Sequence, residues 1–329
     1  KAAVSGTFTI GGATPDYATI AAAVADLNAN GVCGPVVYNI RSGTYTTNIE
    51  LGSINGTSAT NTVTFQSETG NKGDVNITFA ASSTTNNFVL KFNGAKFVTF
   101  KNLTMTATNT SYSTVVDISG QSSDNTVENC ELVSPPSTST STYNAVVYSP
   151  SGSNQPNMSF IGCGIRNGSF GMYIYGSNTT STMNNFRVEG STFTGQYYYP
   201  LYLYYVGELK FFGNRVVQNY GYSYKYVFMS YYGFNTQIER NVFIAEGGSY
   251  QYGIYLYYDN YYQTGNSRVV NNMITGRNAT TYAYSAARMY YCNNLLFAHN
   301  TVRMEGTYAS GYALYSYYGG NNTYMNNII

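Results

Sequence analysis

The sequence predicts an all-β chain wound as a right-handed parallel β-helix, a solenoid entered through a short capping strand and helix. Three observations carry this. A short apolar phrase recurs at a near-constant interval, a second phrase with strict two-residue alternation lies between its copies, and tyrosine is in great excess while charge is scarce.

The first phrase reads FVTFKNLTM, NTVENCELV, MSFIGCGIR, FRVEGSTFT, LKFFGNRVV, TQIERNVFI, SRVVNNMIT, LLFAHNTVR and TYMNNII. Its polar position falls at Asn102, Asn129, Cys163, Ser191, Asn214, Asn241, Asn272, Asn300 and Asn327. Such an interval fits one coil of three short strands and three turns. Coils stack roughly 4.8 Å apart. Aligned asparagines can therefore hydrogen-bond along the stack, so Asn102, Asn129, Asn214, Asn241, Asn272, Asn300 and Asn327 are expected to form an internal ladder at a sharp bend.

The second phrase reads GMYIYGS, PLYLYYVG, YVFMSYYG, GIYLYYDN, AARMYYCN and ALYSYYGG. Its period of two is a strand signature, and frequent Gly, Asn and Thr argue against helix. The alternation sends Ile174, Leu203, Met229, Leu256, Met289 and Ser316 inward. It sends Tyr173, Tyr202, Phe228, Tyr255, Arg288 and Tyr315 outward, with Tyr175, Tyr204, Ser230, Tyr257, Tyr290 and Tyr317 beside them. A third column follows at Tyr205, Tyr231, Tyr258, Tyr291 and Tyr318.

Residues 1–35 read as a cap and 36–329 as the solenoid. SGTFTIGG is a strand, and TPDYATIAAAVADLNANG a helix with Thr14 as N-cap, Pro15 at its first position, Gly31 as its stop and an apolar stripe of Tyr17, Ile20, Val24 and Leu27. Such a helix covers the open first coil. The stretch Ser134–Thr142 is an inserted loop. The chain begins at Lys1 without Met and ends inside a repeat at Ile329, so a trimmed start and a continuation beyond the last coil are expected.

Composition narrows the function classes. Charged residues are 9% of the chain, net charge is +1, and the 16 Lys and Arg form no basic run, so nucleic acid is not an expected partner. No apolar stretch is long enough to span a membrane. Solubility resting on Asn, Ser, Thr and Tyr points to a secreted, extracellular protein. Of the four cysteines, Cys130 and Cys163 fall on adjacent coils, which allows a disulfide or two buried thiols. With one histidine, His299, read as a turn residue, and no CxxC pair, neither a metal nor a cofactor is expected.

These phrases resemble the right-handed parallel β-helix superfamily of pectate-lyase-like solenoids, and among them secreted β-helix surface proteins of Bacteroidetes. TIAAAV is similar to the start of pectin methylesterases. The resemblance implies a fold and an extracellular location. It does not bring enzyme motifs: no Asn-Thr-Asp or Asp-Asp occurs, and His299 sits in Ala-His-Asn rather than Gly-His-Gly.

A catalytic reading has weak candidates. Glu189 and Glu239 share a column two coils apart, roughly 9.6 Å by coil spacing, near the separation of inverting glycosidases. Arg187, Lys210 and Arg268 form a basic row that could serve a lyase. A solvated charged face is the simpler reading. The tyrosine columns carry more weight, because several parallel columns of exposed rings exceed what sheet stability asks for. The expected function is a non-catalytic binding or adhesive module. Its expected ligand-binding residues are Tyr173, Tyr175, Tyr202, Tyr204, Tyr255, Tyr257, Tyr290, Tyr315 and Tyr317, presented to a polysaccharide or another extended surface. Self-assembly into a filament or surface layer, through tyrosine faces or open ends, is the alternative, and a polysaccharide lyase or glycoside hydrolase the third reading. Rings lying flat would offer aromatic faces to sugars, whereas rings on edge would offer a grid of hydroxyls.

Overall fold

The computed structural model describes residues 2–152, 154–280, 282–305 and 311–329, with nothing said of the side chains of 282–284. Three parallel sheets run the length of a solenoid of about 11 turns. Sheet 1 has twelve strands, from β1 (Val4–Ile10) and β2 (Val32–Ile40) to Thr323–Met325. Sheet 2 has ten, from Gly43–Thr46 to Thr301–Met304, and sheet 3 has ten, from Ile49–Leu51 to Tyr312–Tyr317. One coil reads Lys210–Phe212, Arg215–Gln218, Tyr224–Tyr231, one strand per sheet.

Alternation fills the interior. In sheet 3 the inward columns run through Leu90, Val116, Val147, Met172, Leu201, Phe228, Ile254 and Ala287, all fully or almost fully buried. Aromatic rings stack inside as well: Tyr38, Phe65 and Phe100 follow one another at 4.6 and 4.9 Å. Each coil buries its apolar side chains against the next, so the core is one continuous cluster from Val4 to Val302.

The helix begins later than the sequence suggested. α1 spans Ile20–Asn30, and Thr19 caps it by accepting the Ala22 N–H at 3.1 Å. Residues before it are held in another way. The Asp16 carboxylate accepts from the Thr9 N–H (2.7 Å) and hydroxyl (2.8 Å), and Tyr17 pairs with Ile10 as an isolated parallel bridge. Thr14 and Pro15 therefore lie in the connection, and Tyr17 leaves the stripe. Gly31, at φ 65°, closes the helix with its N–H on the Leu27 carbonyl. Ile20, Ala23, Val24 and Leu27 are buried over the first coil.

The bend between sheets 1 and 2 holds two adjacent columns, which the sequence reading had merged. The outer one is left-handed: Asn102, Asn129, Gly162, Gly190, Gly213, Arg240, Asn271, His299 and Asn326 all have φ between 48° and 65°. The inner one, one residue later, runs Leu103, Cys130, Cys163, Ser191, Asn214, Asn241, Asn272, Asn300 and Asn327. Asn102 and Asn129 thus belong to the outer column, where the Asn129 amide donates to Asn102 Oδ1 at 2.8 Å. The internal ladder is the five asparagines from Asn214 to Asn327. From Asn241 on, each Oδ1 accepts the backbone N–H of the preceding rung at 2.8–3.0 Å and its amide at 3.0–3.2 Å, while Asn214 Oδ1 accepts the Ser191 N–H. Each Nδ2 also reaches a carbonyl of the coil before, such as Asn241 to Phe211 at 2.8 Å. All four cysteines are free thiols, and burial pushes Cys163 up to about 12.

Candidate functional site

The tyrosines gather on the outer face of sheet 3. Strand pairing aligns Tyr148, Tyr173, Tyr202, Met229, Tyr255, Arg288 and Tyr315 as one column. Tyr175, Tyr204, Tyr231, Tyr257, Tyr290 and Tyr317 form a second. The coil at YVFMSYYG is one residue out of step with the sequence alignment. Phe228 and Ser230 point inward, and Met229 and Tyr231 take the outward places assigned to them. The strand itself is in unbroken register, Phe228 pairing with Leu201 and Ile254, and it differs from its neighbours only in carrying Met229 at an outward place and Ser230 at an inward one.

The third column is Tyr205, Tyr232, Tyr258, Tyr291 and Tyr318, every one left-handed with φ between 45° and 58°. A bulky side chain is a genuine outlier in that region. The equivalent places at the sheet 1–2 bend are mostly Asn or Gly. At the sheet 3–1 bend the backbone accepts strain to keep a ring there.

Ring geometry decides what the face presents. Along the second column neighbours lie 4.5–5.4 Å apart, stacked except for the edge-on Tyr231–Tyr257 pair. Along the third column they lie 4.8–5.3 Å apart, with Tyr232, Tyr258, Tyr291 and Tyr318 stacked within 12°. Tyr173 and Tyr202 stack at 5.2 Å and 4°. Columns two and three meet at right angles: Tyr204–Tyr205 and Tyr317–Tyr318 are both at 89°. The rings stand on edge and spend their faces on one another. The surface therefore shows ring edges and phenol hydroxyls repeated at the coil spacing.

A second layer lies under part of this face. Phe170, Tyr199, Tyr226 and Tyr252 form a further, more buried column, and Phe170, Tyr199 and Met229 with Ala145 make an apolar cluster outside the main core. Burial pushes the phenols of Tyr202 and Tyr255 up to about 12, the latter despite Arg288 pulling it down. Tyr199, Tyr204, Tyr226 and Tyr231 are raised further by the same cause. The loop residues Tyr261 and Tyr262 pack on Tyr258 at 5.0 and 5.6 Å and flank the third column.

The sequence reading missed Tyr148, Arg288 as a member of the site, and the second layer. A signal existed for the last: SYKYVFM and SYQYGIY place a tyrosine just upstream of each outward pair.

The catalytic candidates lie on sheet 1, away from this face. Glu189 and Glu239 do share a column, with Phe212 between them. Arg187 holds Glu189, while Arg268 and Arg240 hold Glu239 at 3.5 and 3.7 Å. Lys210 donates to Asn185 Oδ1 at 2.7 Å. Lys210 and Arg268 line separate shallow concavities of about 410 and 370 Å³, and neither glutamate lines either one. Among the described residues no group of three His, Cys, Asp or Glu is placed to hold a metal. Among the described residues no helix is long and apolar enough to cross a membrane.

No family model and no curated protein matches the chain. Solved structures do. The Dettilon tailspike protein aligns at 15% identity and a TM-score of 0.54 over 93% of this chain and 57% of its own, so the chain spans a little over half of that protein. PfbA, a surface adhesin of Streptococcus pneumoniae, aligns at 11% identity and 0.52 over 94% and 89%. A rhamnogalacturonan lyase aligns at 11% and 0.50 over 97% and 88%. At these identities the likeness concerns the fold: the chain is a parallel β-helix.

Proposed function

We propose that the protein is an extracellular, non-catalytic binding module that lays its tyrosine face against an extended polysaccharide. The observation that carries this is the set of parallel edge-on ladders, which repeat hydroxyl donors and acceptors at the coil spacing over a rigid support. Tyr175, Tyr204, Tyr257, Tyr290 and Tyr317 supply one row, Tyr173, Tyr202, Tyr255 and Tyr315 another. Each contact is weak, and the fixed spacing makes them additive without an ordering cost. A glycan presents hydroxyls in the same repeating manner. Neighbours of this fold that include a tailspike, a surface adhesin and a polysaccharide lyase support the reading and the extracellular location.

The test is a pull-down on a panel of insoluble polysaccharides. Wild type is compared with Tyr202→Ala/Tyr255→Ala/Tyr257→Ala, shown by circular dichroism to be folded. Binding by the wild type and its loss in the variant is the expected result. Equal binding by both places the ligand elsewhere, and no binding by either removes the reading.

A further inference from the structure

Arg288 interrupts the first tyrosine column between Tyr255 and Tyr315. Four phenol rings surround its guanidinium carbon: Tyr315 at 5.0 Å, Tyr290 at 5.4 Å, Tyr255 at 5.5 Å and Tyr252 at 5.8 Å. These contacts explain how a cation is tolerated in an aromatic surface. They do not satisfy its hydrogen-bonding groups. Nε is buried without a partner, and among the described residues no carboxylate pairs with the guanidinium. Elsewhere, apart from the exposed Arg215, the arginines behave differently. Arg41, Arg166, Arg187, Arg240, Arg268, Arg277 and Arg303 each lie within 4 Å of a glutamate. A half-buried arginine at the centre of a ring surface, alone among the arginines in lacking an anion without being fully exposed, has its two terminal Nη groups to offer an oxyanion, since Nε is buried.

We propose that Arg288 is the anion-recognition point of the tyrosine face, and that the glycan it binds is acidic, carrying carboxylate or sulfate groups. This inference rests on the reading of the face as a glycan surface and gives that ligand its chemical class. The guanidinium takes the oxyanion in a forked pair, while Tyr255, Tyr290 and Tyr315 around it donate and accept with the sugar hydroxyls. Charge on the ligand then replaces the carboxylate that the chain itself withholds.

The experiment compares polygalacturonate with its methyl ester, which keeps the backbone and removes the charge, alongside dextran sulfate and dextran. Affinities are measured by calorimetry on the full chain. The wild type is expected to favour polygalacturonate over its ester by about tenfold, which corresponds to about 1.4 kcal/mol. That preference shrinks between about 0.02 and 0.5 M salt, as screening requires. Arg288→Gln abolishes it, and Arg288→Lys retains part of it, since the charge survives and the fork does not. A dextran sulfate preference over dextran larger than the acid–ester one identifies sulfate as the source. Equal wild-type affinity for charged and uncharged polymers overturns the inference and leaves the glycan reading standing. A folded Arg288→Gln that keeps the full preference also overturns it. Binding to none of the four removes both readings together. The acid–ester comparison needs no variant, so a misfolded Arg288→Gln does not decide the matter.

Discussion

Early and late coils of this solenoid solve the same structural problem with different residues. In the first column of sheet 3, the early coils place Glu50, Lys91 and Asp117 where the later ones place Tyr173, Tyr202, Tyr255 and Tyr315. Lys91 and Glu50 pair at 3.5 Å, an ordinary solvated arrangement. The backbone pairing is parallel in both regions, and the inward residues of the later coils up to Ala287 and Met289 are as buried as the early ones. The sheet therefore closes without outward tyrosines, and the later coils carry them in excess of what the fold needs. The left-handed corner teaches the same lesson more sharply. Where sheet 1 turns into sheet 2 the chain relaxes strain with Asn102, Asn129, Gly162, Gly190 and Gly213. Where sheet 3 turns into sheet 1 it keeps Tyr205, Tyr232, Tyr258, Tyr291 and Tyr318 at a backbone cost of about 1 kcal/mol each.

The inner bend column divides the molecule in another way. Its early rungs, Leu103, Cys130 and Cys163, are apolar or nearly so, and its later ones are asparagines that complete one another's hydrogen bonds. Breaking that chain gives the largest expected effect. Asn241→Leu leaves the Asn214 backbone N–H and the Phe211 carbonyl without their partners, and should cost about 3 kcal/mol, read as a lowered denaturation midpoint. Ser191→Asn, which adds a rung next to Asn214, should stay within about 1 kcal/mol of the wild type in the same assay.

Alkaline pH separates the two regions next. Tyr202 and Tyr255 titrate near 12 in the folded chain and near 10 once unfolded, so the folded state favours their protonated form. Their stabilising contribution is complete below pH 10 and is lost as pH rises from 10 through 12. The phenolate signal that Tyr202→Phe/Tyr255→Phe removes, read as a difference from the wild type, should therefore appear only with the loss of circular dichroism. A difference signal that develops near pH 10 in a still-folded chain would contradict the packing described.

The smallest effect belongs to the strained corner. Tyr258→Asn loses stacking on Tyr232 and Tyr291 but relieves the backbone, so stability should change by no more than about 1 kcal/mol. A fall of several kcal/mol would make that column a structural element first.

The sequence made the solenoid legible because coil length and alternation are properties of residue order. The asparagine ladder was legible from Asn214 onward, where every inner position is asparagine. At Asn102 and Asn129 the asparagine lies in the outer column and the inner places are Leu103 and Cys130, and the spacing of the repeat does not separate two adjacent columns. The slip at Phe228 came from residue type: Met229 stands at an outward place and Ser230 at an inward one, so polarity alone assigned the wrong parity, and only the pairing of Phe228 with Leu201 and Ile254 sets it. Thr14-Pro15 had the chemistry of a helix start, but the Asp16–Thr9 contacts and the Tyr17–Ile10 bridge tie this stretch back to β1 instead. Parity alone put Arg288 in the outward tyrosine column, but Tyr252, Tyr255 and Tyr315 close on it from neighbouring coils, which residue order does not announce.

The central claim is that the tyrosine hydroxyls serve a ligand rather than the fold. The most direct measurement pairs melting temperature with polysaccharide affinity for Tyr204→Phe/Tyr257→Phe/Tyr290→Phe, which keeps every stacked ring of that column and deletes three hydroxyls. Melting should stay within about 3 °C of the wild type while affinity falls by about tenfold or more. Unchanged affinity, or a large drop in melting temperature with binding retained, would contradict the account.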